Sequence, residues 1–321
     1  MNFQNLEYFL TVAEEASITR AAERLHLSQQ ALSGHIIRLE EEIGLALFDR
    51  KPTLQLTYAG ERFLTQAREM INMKRQSEAM IRDIRENEKG KLAIGISYSR
   101  GQALLPILLP EYSAAHPLVD LSIVEDRPDA LEARLNQGTL DVMIGFLPFS
   151  SQTLDAKPLF QEHLFLVASK DLLKTRFGDD ADRVFRKLAE TSDLSLISDL
   201  PFVFLRKGEH IRTMIDREFE AQKVVPNVRI ETSNTQTALA LAAEGMGVTI
   251  VHEVLLKSSY TLGGLSNPAT RERVVITPLK KATLADTVGI GFHKDRYMPK
   301  ITRDFIALCE QKLTHFGFEE I

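Results

Sequence analysis

Polar side chains at the start of one predicted helix have the chemistry needed to read DNA bases. Gln29, Gln30 and Ser33 lie within five residues of one another. A glutamine amide can bond N6 and N7 of adenine together, and a serine hydroxyl pairs with several bases. Ile37 is suited to contact with a thymine methyl group. Because helical DNA-binding units meet base edges with the N-terminal residues of one helix, this segment predicts a base-reading surface.

An apolar stripe on the other side of the same segment predicts the helix that carries these residues. The stripe repeats at spacings of four, three and four residues, the period of an α-helix: Leu32, Ile36, Leu39 and Ile43. The face that points away from it contains Gln30, Ser33, Gly34 and Ile37. The alternative interpretation is that this face is only the solvated surface of a small helical domain.

Two upstream segments supply the partners that such a helix needs to bury its stripe. Ala21, Ala22 and Leu25 give one segment an apolar face, and Ser28 is placed to cap the following helix. Apolar residues at helical spacing further upstream predict a third wall: Leu6, Phe9, Leu10 and Ala13. The pattern indicates three helices and a small wing, which together present the last helix to the major groove.

The segment from Ser17 to Gly60 resembles the N-terminal winged helix-turn-helix of the LysR-type transcriptional regulators. The matching pieces are Ala21-Ala22-Glu23-Arg24-Leu25, Ser28-Gln29-Gln30-Ala31-Leu32-Ser33, Arg38-Leu39-Glu40, Leu47-Phe48-Asp49-Arg50 and Leu56-Thr57-Tyr58-Ala59-Gly60. The resemblance implies a DNA-binding domain over residues 1–60, although family members often carry basic residues at the positions of Gly34 and Ile37. The expected DNA contacts are Ser28, Gln29, Gln30, Ser33, Gly34, His35, Ile37, Arg38, Arg50, Lys51 and Thr53.

The charge of the chain indicates that one copy binds DNA weakly. The net charge is −5, and residues 1–60 hold five Arg and Lys against eight Asp and Glu. Arg50 and Lys51 lie together in the wing, where phosphate contacts are expected. With so few cations, several chains must bind one site to gain affinity.

The next segment predicts a long helix that pairs subunits. Residues 58–89 contain no proline and one glycine, Gly60, and Gly90 supplies a stop. Residues close to a heptad seam are Phe63, Ala67, Met70, Ser77, Ile81 and Ile84. We therefore expect residues 61–89 to form a linker and dimerisation helix. The alternative is a surface helix packed on its own domain.

After Gly90 the pattern changes to alternating strands and helices, and it occurs twice. His116-Pro117 and Val225-Pro226 hold the same place in the two units, 109 residues apart, and Gly138 and Gly247 share that separation. The repeat predicts two α/β subdomains facing a cleft, like a periplasmic binding protein.

The crossovers between these subdomains are expected near Val167–Ser169 and Thr277-Pro278. One effector subdomain is therefore assigned to residues 90–167 and 277–321, and the other to residues 168–276. Lys174–Leu200, rich in charged and polar residues, is expected to form a helical surface insertion.

Candidate ligand contacts follow the strands of both units, where helix N-termini are expected. They are Ser97, Tyr98, Ser99, Arg127, Phe146, Arg206, Lys207, His210, Thr232 and Asn234. The resemblance implies that the matching segments line an effector pocket. Hydroxyls, helix N-termini and cations suit a small anion such as a carboxylate. Taken singly, Arg127, Arg206 and Lys207 are equally compatible with a solvated surface, and His210 with an ordinary helix start.

Other features limit the possible functions. The sequence shows no bilayer-spanning run and no signal peptide, so we expect a cytoplasmic protein. The single cysteine, Cys309, is expected to be buried in the C-terminal helix. An enzyme is not expected, because the sequence lacks a P-loop, a dinucleotide fingerprint and a nucleophile elbow. The eight histidines have no metal-ligand spacing, and no cofactor is expected.

Two further alternatives fit less well. A solute-capturing protein would need a secretion or lipidation signal, and a DNA-architectural protein would be strongly basic. The sequence thus predicts an α/β protein with an N-terminal all-α winged helix-turn-helix. Double-stranded promoter DNA, a small-molecule effector and further copies of the chain, in a homotetramer, are the expected partners.

Overall fold

An N-terminal head of three helices and a two-stranded wing begins the chain. The computed structural model describes residues 2–49, 53–84, 89–257, 272–314 and 316. The elements of the head are α1 (Phe3–Glu15), α2 (Ile18–Arg24), α3 (Gln29–Ile43), β1 (Phe48–Asp49) and β2 (Gln55–Leu56). The predicted helix-turn-helix with its wing is confirmed.

Side-chain caps determine where the helices of the head begin. The Ser28 hydroxyl accepts from the Ala31 amide at 3.1 Å, as its position predicted. Asn2 and Ser17 cap α1 and α2 in the same way. Gly44, with φ of 78°, ends α3 in the left-handed region that favours glycine.

The core of the head contains the predicted stripe. Leu32, Ile36 and Leu39 are buried, whereas Ile43 packs at the edge. Phe9 of α1 is fully buried, and the centroid of its ring lies 5.3 Å from that of Phe48 in the wing. Helices and wing therefore form one folding unit.

A long helix, α4 (Tyr58–Ile84), leaves the head. Ala67 and Ile71 are buried in the head core, so the first half of α4 packs on its own domain. The predicted seam is therefore split between two environments: Phe63 and Ala67 face the head, whereas Met70 and Ile81 are exposed. The side chain of Ile84 and residues 85–88 lie outside the described residues.

The remaining elements form the α/β half. Its strands are β3 (Gly90–Ile96), β4 (Val119–Glu125), β5 (Val142–Phe146), β6 (Leu154–Ser169), β7 (Pro201–Leu205), β8 (Asn227–Thr232), β9 (Thr249–His252), β10 (Val274–Leu279) and β11 (Ala285–His293). Its helices are α5 (Tyr98–Ala115), α6 (Pro128–Asn136), α7 (Lys170–Phe177), α8 (Ala181–Thr191), α9 (His210–Ala221), α10 (Thr235–Ala243), α11 (Glu253–Lys257) and α12 (Lys300–Leu313).

One long strand, β6, joins the two subdomains. The sheet runs in the order β10-β6-β11-β5-β3-β4, and β9 also pairs with β6. β6 pairs with β11 as far as His163 and with β9 and β10 from Leu164. This exchange of partners comes earlier in the chain than the crossover expected near Val167–Ser169. The parallel pair β7-β8 extends the second subdomain.

Helix α5 begins two residues after the end of β3. Ser97 is its N-cap, so Tyr98 and Ser99 lie within the first turn. Gly101 in this helix lies beside β3 and β4: a Cβ there would lie 3.2 Å from Ile96 Cγ2 and 2.6 Å from Glu125 Oε1.

The segment Lys174–Leu200 is helical as predicted, but it is not only a surface insertion. Phe185, Leu188 and Ile197 are buried in the core of the second subdomain. The polar composition reflects the outer face of an amphipathic helix, α8. Cys309 is buried in α12, as predicted.

Across the described part of the chain, no helix combines the length and the apolar character needed to cross a bilayer.

Candidate functional site

The start of α3 presents a polar surface that is open to a partner. Gln29 and Gln30 are exposed, and Ser33 is half-buried. A Cβ added at Gly34 would have no neighbour within 4 Å, so the backbone is also accessible there. Ile37 is an exposed apolar residue on the same helix. The structure thus brings together the polar, small and apolar groups that the sequence assigned to base reading.

Other residues predicted to contact DNA have different surroundings. His35 Nδ1 lies 2.9 Å from Asn5 Oδ1, so this side chain faces α1. Arg38 is exposed, and its Nε donates to the carbonyl of Gly34 at 3.1 Å. Thr53 is exposed in the wing. The predicted phosphate contacts Arg50 and Lys51 lie outside the described residues.

A cleft of about 690 Å³ separates the two subdomains, and α5, α6, α9 and α10 begin at it. Ser97 and Ser99 line it from α5, Arg127 from α6, His210 from α9 and Thr235 from α10. The N-terminus of a helix carries unsatisfied N–H groups and a partial positive charge. The cleft therefore concentrates hydrogen-bond donors.

The cleft contains six of the ten predicted ligand contacts, namely Ser97, Ser99, Arg127, Phe146, Lys207 and His210. The other four do not line it. Tyr98 is exposed on α5, and the Arg206 amide donates to the carbonyl of Thr232. Asn234 caps α10 by accepting from two of its amides. All four residues lie at or close after a strand end in the sequence, but that position does not determine where a side chain points.

A buried ion pair that the sequence analysis missed forms the floor of the cleft. Arg100 Nη2 lies 2.7 Å from Glu162 Oε2, and the two side chains are 6% and 0% exposed. The guanidinium carbon of Arg100 lies 4.2 Å from the centroid of the Phe146 ring. The Val254 amide donates to Glu162 Oε1 at 3.3 Å. The charge of Arg100 is thus already committed to the protein.

A contact between the subdomains closes one side of the cleft. His210, at the start of α9, stacks on Phe146 of β5 with ring centroids 4.5 Å apart. Its Nε2 lies 2.9 Å from Asp286 Oδ2 on β11. Since Phe146 and Asp286 belong to the first subdomain, His210 holds the second subdomain against it.

Burial and neighbouring charges change the pKa values on this floor. Burial lowers the pKa of His252 more than the carboxylates Glu162 and Asp286 raise it, so this imidazole is neutral near neutral pH. Burial alone would raise the pKa of Glu162. The positive charges of His252, when protonated, and of Arg100 outweigh burial and hold that pKa below its ordinary value.

The missed residues left weak signals in the sequence. Glu162 is a charged residue inside an apolar strand, which is expensive unless it has a partner. Arg100 directly follows the predicted Ser97-Tyr98-Ser99 segment. Neither signal reveals that the two residues pair, because 62 positions separate them.

Two protein-family models together match most of the chain. A family model described as LysR substrate binding domain matches residues 85–314. A second model, described as bacterial regulatory helix-turn-helix protein, lysR family, matches residues 3–61.

Known proteins of similar sequence are transcriptional regulators. The chain is 30% identical to the HTH-type transcriptional regulator ClcR of Pseudomonas putida, over 81% of this chain and 85% of that protein. It is 29% identical to the HTH-type transcriptional regulator YcgK of Bacillus subtilis, over 98% of this chain and 95% of that protein.

Solved structures show the same architecture. A full-length OxyR variant from Pseudomonas aeruginosa has a TM-score of 0.69 and 26% identity, covering 98% of this chain and 95% of that one. Full-length CbnR in complex with its target DNA has a TM-score of 0.64 and 21% identity, covering 97% and 100%. At the lower identity, the likeness concerns the fold alone.

Proposed function

We propose that this chain binds specific promoter DNA through α3 and that a small anion controls this binding. The chain belongs to the LysR-type transcriptional regulators. Members of this family are DNA-binding regulators with an effector-binding domain, not enzymes. The exposed Gln29 and Gln30 at the start of α3 support base reading. Its place of action would be the cytoplasm, where promoter DNA is accessible.

The observation that carries the anionic ligand is the convergence of four helix N-termini on one cleft. Ser97, Arg127 and Glu209 are N-cap residues whose side chains form no cap hydrogen bond. At α6 the Asp129 carboxylate accepts from amides of the first turn, but at α5 and α9 no capping side chain accepts from the first N–H groups, and an anion would supply an acceptor. Lys207 and Arg217 add positive charge at the same cleft, whose lining also contains the carboxylates Asp129, Glu132 and Glu209.

A ligand in the cleft can act on DNA binding only if its affinity differs between two arrangements of the protein. The contact of His210 with Phe146 and Asp286 is a structural element that such a ligand could favour or break. Ligand binding would then change the relative position of the subdomains. Through the oligomer, this movement would change the spacing of the heads.

The test is a thermal-shift screen of small carboxylates, followed by calorimetry with any acid that stabilises the full-length protein. Ser99→Ala should weaken binding of that acid and leave cognate DNA affinity without it nearly unchanged in a gel shift. An exposed serine outside the cleft, Ser113, gives a matched control in Ser113→Ala. If Ser99→Ala leaves the affinity for the acid unchanged, the ligand site is wrongly assigned.

The exposed face of α4 supports pairing of subunits through this helix. Met70, Met73, Met80 and Ile81 are exposed large apolar residues at helical spacing. Pairing through α4, together with a second contact through the α/β half, would give a homotetramer. Met70→Asp with Ile81→Asp should split the assembly in light scattering, whereas Thr65→Asp on the same helix should not. An unchanged mass for the double variant would move the interface elsewhere.

A further inference from the structure

A second cavity, of about 390 Å³, lies where α4 meets the α/β half, and it shares no residue with the cleft. Arg75 lines it from α4, Lys91 from β3 and Thr302 from α12. Asn72 Nδ2 donates to the carbonyl of Gln137 beside it, so α4 contacts the first subdomain directly. The cavity is thus built by two parts of the protein that are far apart in the sequence.

Positive charge predominates in this cavity, although the chain as a whole carries a net charge of −5. Four cations line it: Arg75, Lys89, Lys91 and Arg296. Asp141 is the one carboxylate among the described lining residues, and it accepts from the Ala93 amide at 2.7 Å. Burial raises the pKa of Asp141 above its ordinary value, which favours its neutral form and further reduces the negative charge.

Two of the lining groups do not change this balance. Burial lowers the pKa of His293, which favours the neutral form of its imidazole. Arg296 donates through its two terminal nitrogens to the carbonyls of Leu135 and Asn136 at the end of α6. Glu69 on α4 also acts on Arg296 electrostatically. Arg75 and Lys91 act on Asp141 electrostatically, but neither these two cations nor Lys89 forms a salt bridge within 4 Å among the described residues.

The same cavity contains a buried hydroxyl without a partner. Thr302 is 3% exposed, and its Oγ1 has no hydrogen-bond partner among the described residues. A buried hydroxyl normally has one, because an unsatisfied polar atom costs free energy. Thr302 lies in the first turn of α12, whose N-cap, Pro299, supplies no side-chain acceptor. The Thr302 amide itself donates to the carbonyl of Pro299 at 3.0 Å, so the hydroxyl is the unpartnered group.

We propose that this cavity, which we name the junction site, binds a small, multiply charged oxyanion of the phosphate class. Lysine and arginine are suited to its charge, and the Thr302 hydroxyl can donate to one of its several acceptor oxygens. A monocarboxylate has one charge and two oxygens, and it leaves most of these donors unused. Because Arg75 belongs to α4 and Lys91 and Thr302 to the α/β half, the bound anion fixes the linker helix against the first subdomain.

The test is calorimetry of the full-length protein with inorganic phosphate, in a chloride buffer of constant ionic strength without sulfate. We expect a saturable isotherm with one phosphate site per chain. Acetate should bind at least about tenfold more weakly than phosphate. Lys91→Gln and Thr302→Val should each weaken phosphate binding about tenfold. The Lys91 side chain is exposed, so its replacement leaves the core unchanged. Thr302→Ser keeps the hydroxyl and should retain the affinity.

The cleft supplies the control that separates this site from the ligand site proposed above. Ser99→Ala should leave phosphate affinity unchanged, since Ser99 does not line the junction site. No saturable binding of phosphate overturns the proposal. Wild-type affinity in both Lys91→Gln and Thr302→Val also overturns it, as does loss of binding in Ser99→Ala, which would mean that phosphate occupies the cleft.

Discussion

The head and the cleft solve the problem of recognition in different ways. The reading surface of the head belongs to one helix, and its polar residues lie exposed within the first turns of α3. The cleft draws its residues from five helices and several strands, and the ion pair of Arg100 and Glu162 on its floor is buried. The composition of a surface on one helix therefore follows from the local periodicity of the sequence. A site between subdomains depends on contacts that only the complete fold creates.

The largest expected effect is a loss of stability in the head that leaves the α/β half folded. Phe9→Ala removes a fully buried ring from the small core of the head and should destabilise it by about 3–5 kcal/mol. Hydrogen exchange should show lost protection in α3 and retained protection in β3 and β5. Phe3→Ala, at an exposed position, is the matched control. Equal loss of protection in both regions would mean that the head and the α/β half unfold as one unit.

The second effect compares a buried ion pair with an exposed one. Glu162→Gln leaves Arg100 buried without its carboxylate and should cost about 3–5 kcal/mol in denaturant unfolding. Glu310→Gln breaks the surface pair with Lys157 and should cost less than about 1 kcal/mol. Similar losses for the two variants would show that the floor of the cleft has no special importance for stability.

The third effect tests the reading surface. Gln30→Ala should cost about 1–3 kcal/mol of binding free energy at the cognate site and change binding to random DNA little. Gln4→Ala, exposed on α1, should leave both affinities unchanged. The measurement is fluorescence anisotropy with labelled duplexes at fixed salt. A parallel loss on cognate and random DNA would assign Gln30 to the backbone and not to the bases.

The smallest effect concerns pH and the floor of the cleft. The pKa of His252 is lowered in the folded protein, so below about pH 6.5 the unfolded chain binds more protons and stability falls. Above that pH the contribution is fully present. His252→Asn should therefore reduce the slope of unfolding free energy between about pH 6.5 and 5, by at most about 1.4 kcal/mol per pH unit.

Two other histidines define the comparison for that measurement. His293 also has a pKa lowered by burial, so part of the slope should remain in the His252 variant. His26→Asn, at an exposed position in the head, is the matched control. A slope in His252→Asn identical to that of the original protein would contradict the role of this buried imidazole.

Much of the head was predictable because its determinants are close in sequence. The Ser28 cap and the stripe of Leu32, Ile36 and Leu39 follow from residues at helical spacing, and the structure confirms them. The repeated order of strands and helices predicted two α/β units for the same reason.

The sequence by itself determined the period of each element, the caps of the head helices and the family to which the chain belongs. Only the tertiary structure decided which charges meet. Arg100 and Glu162 are 62 positions apart, and His210 and Asp286 are 76 apart. Such pairs depend on how β6 runs from one subdomain into the other and on the burial that removes water from the ions. Local periodicity contains no information about either, because pairing energy arises after distant elements have packed.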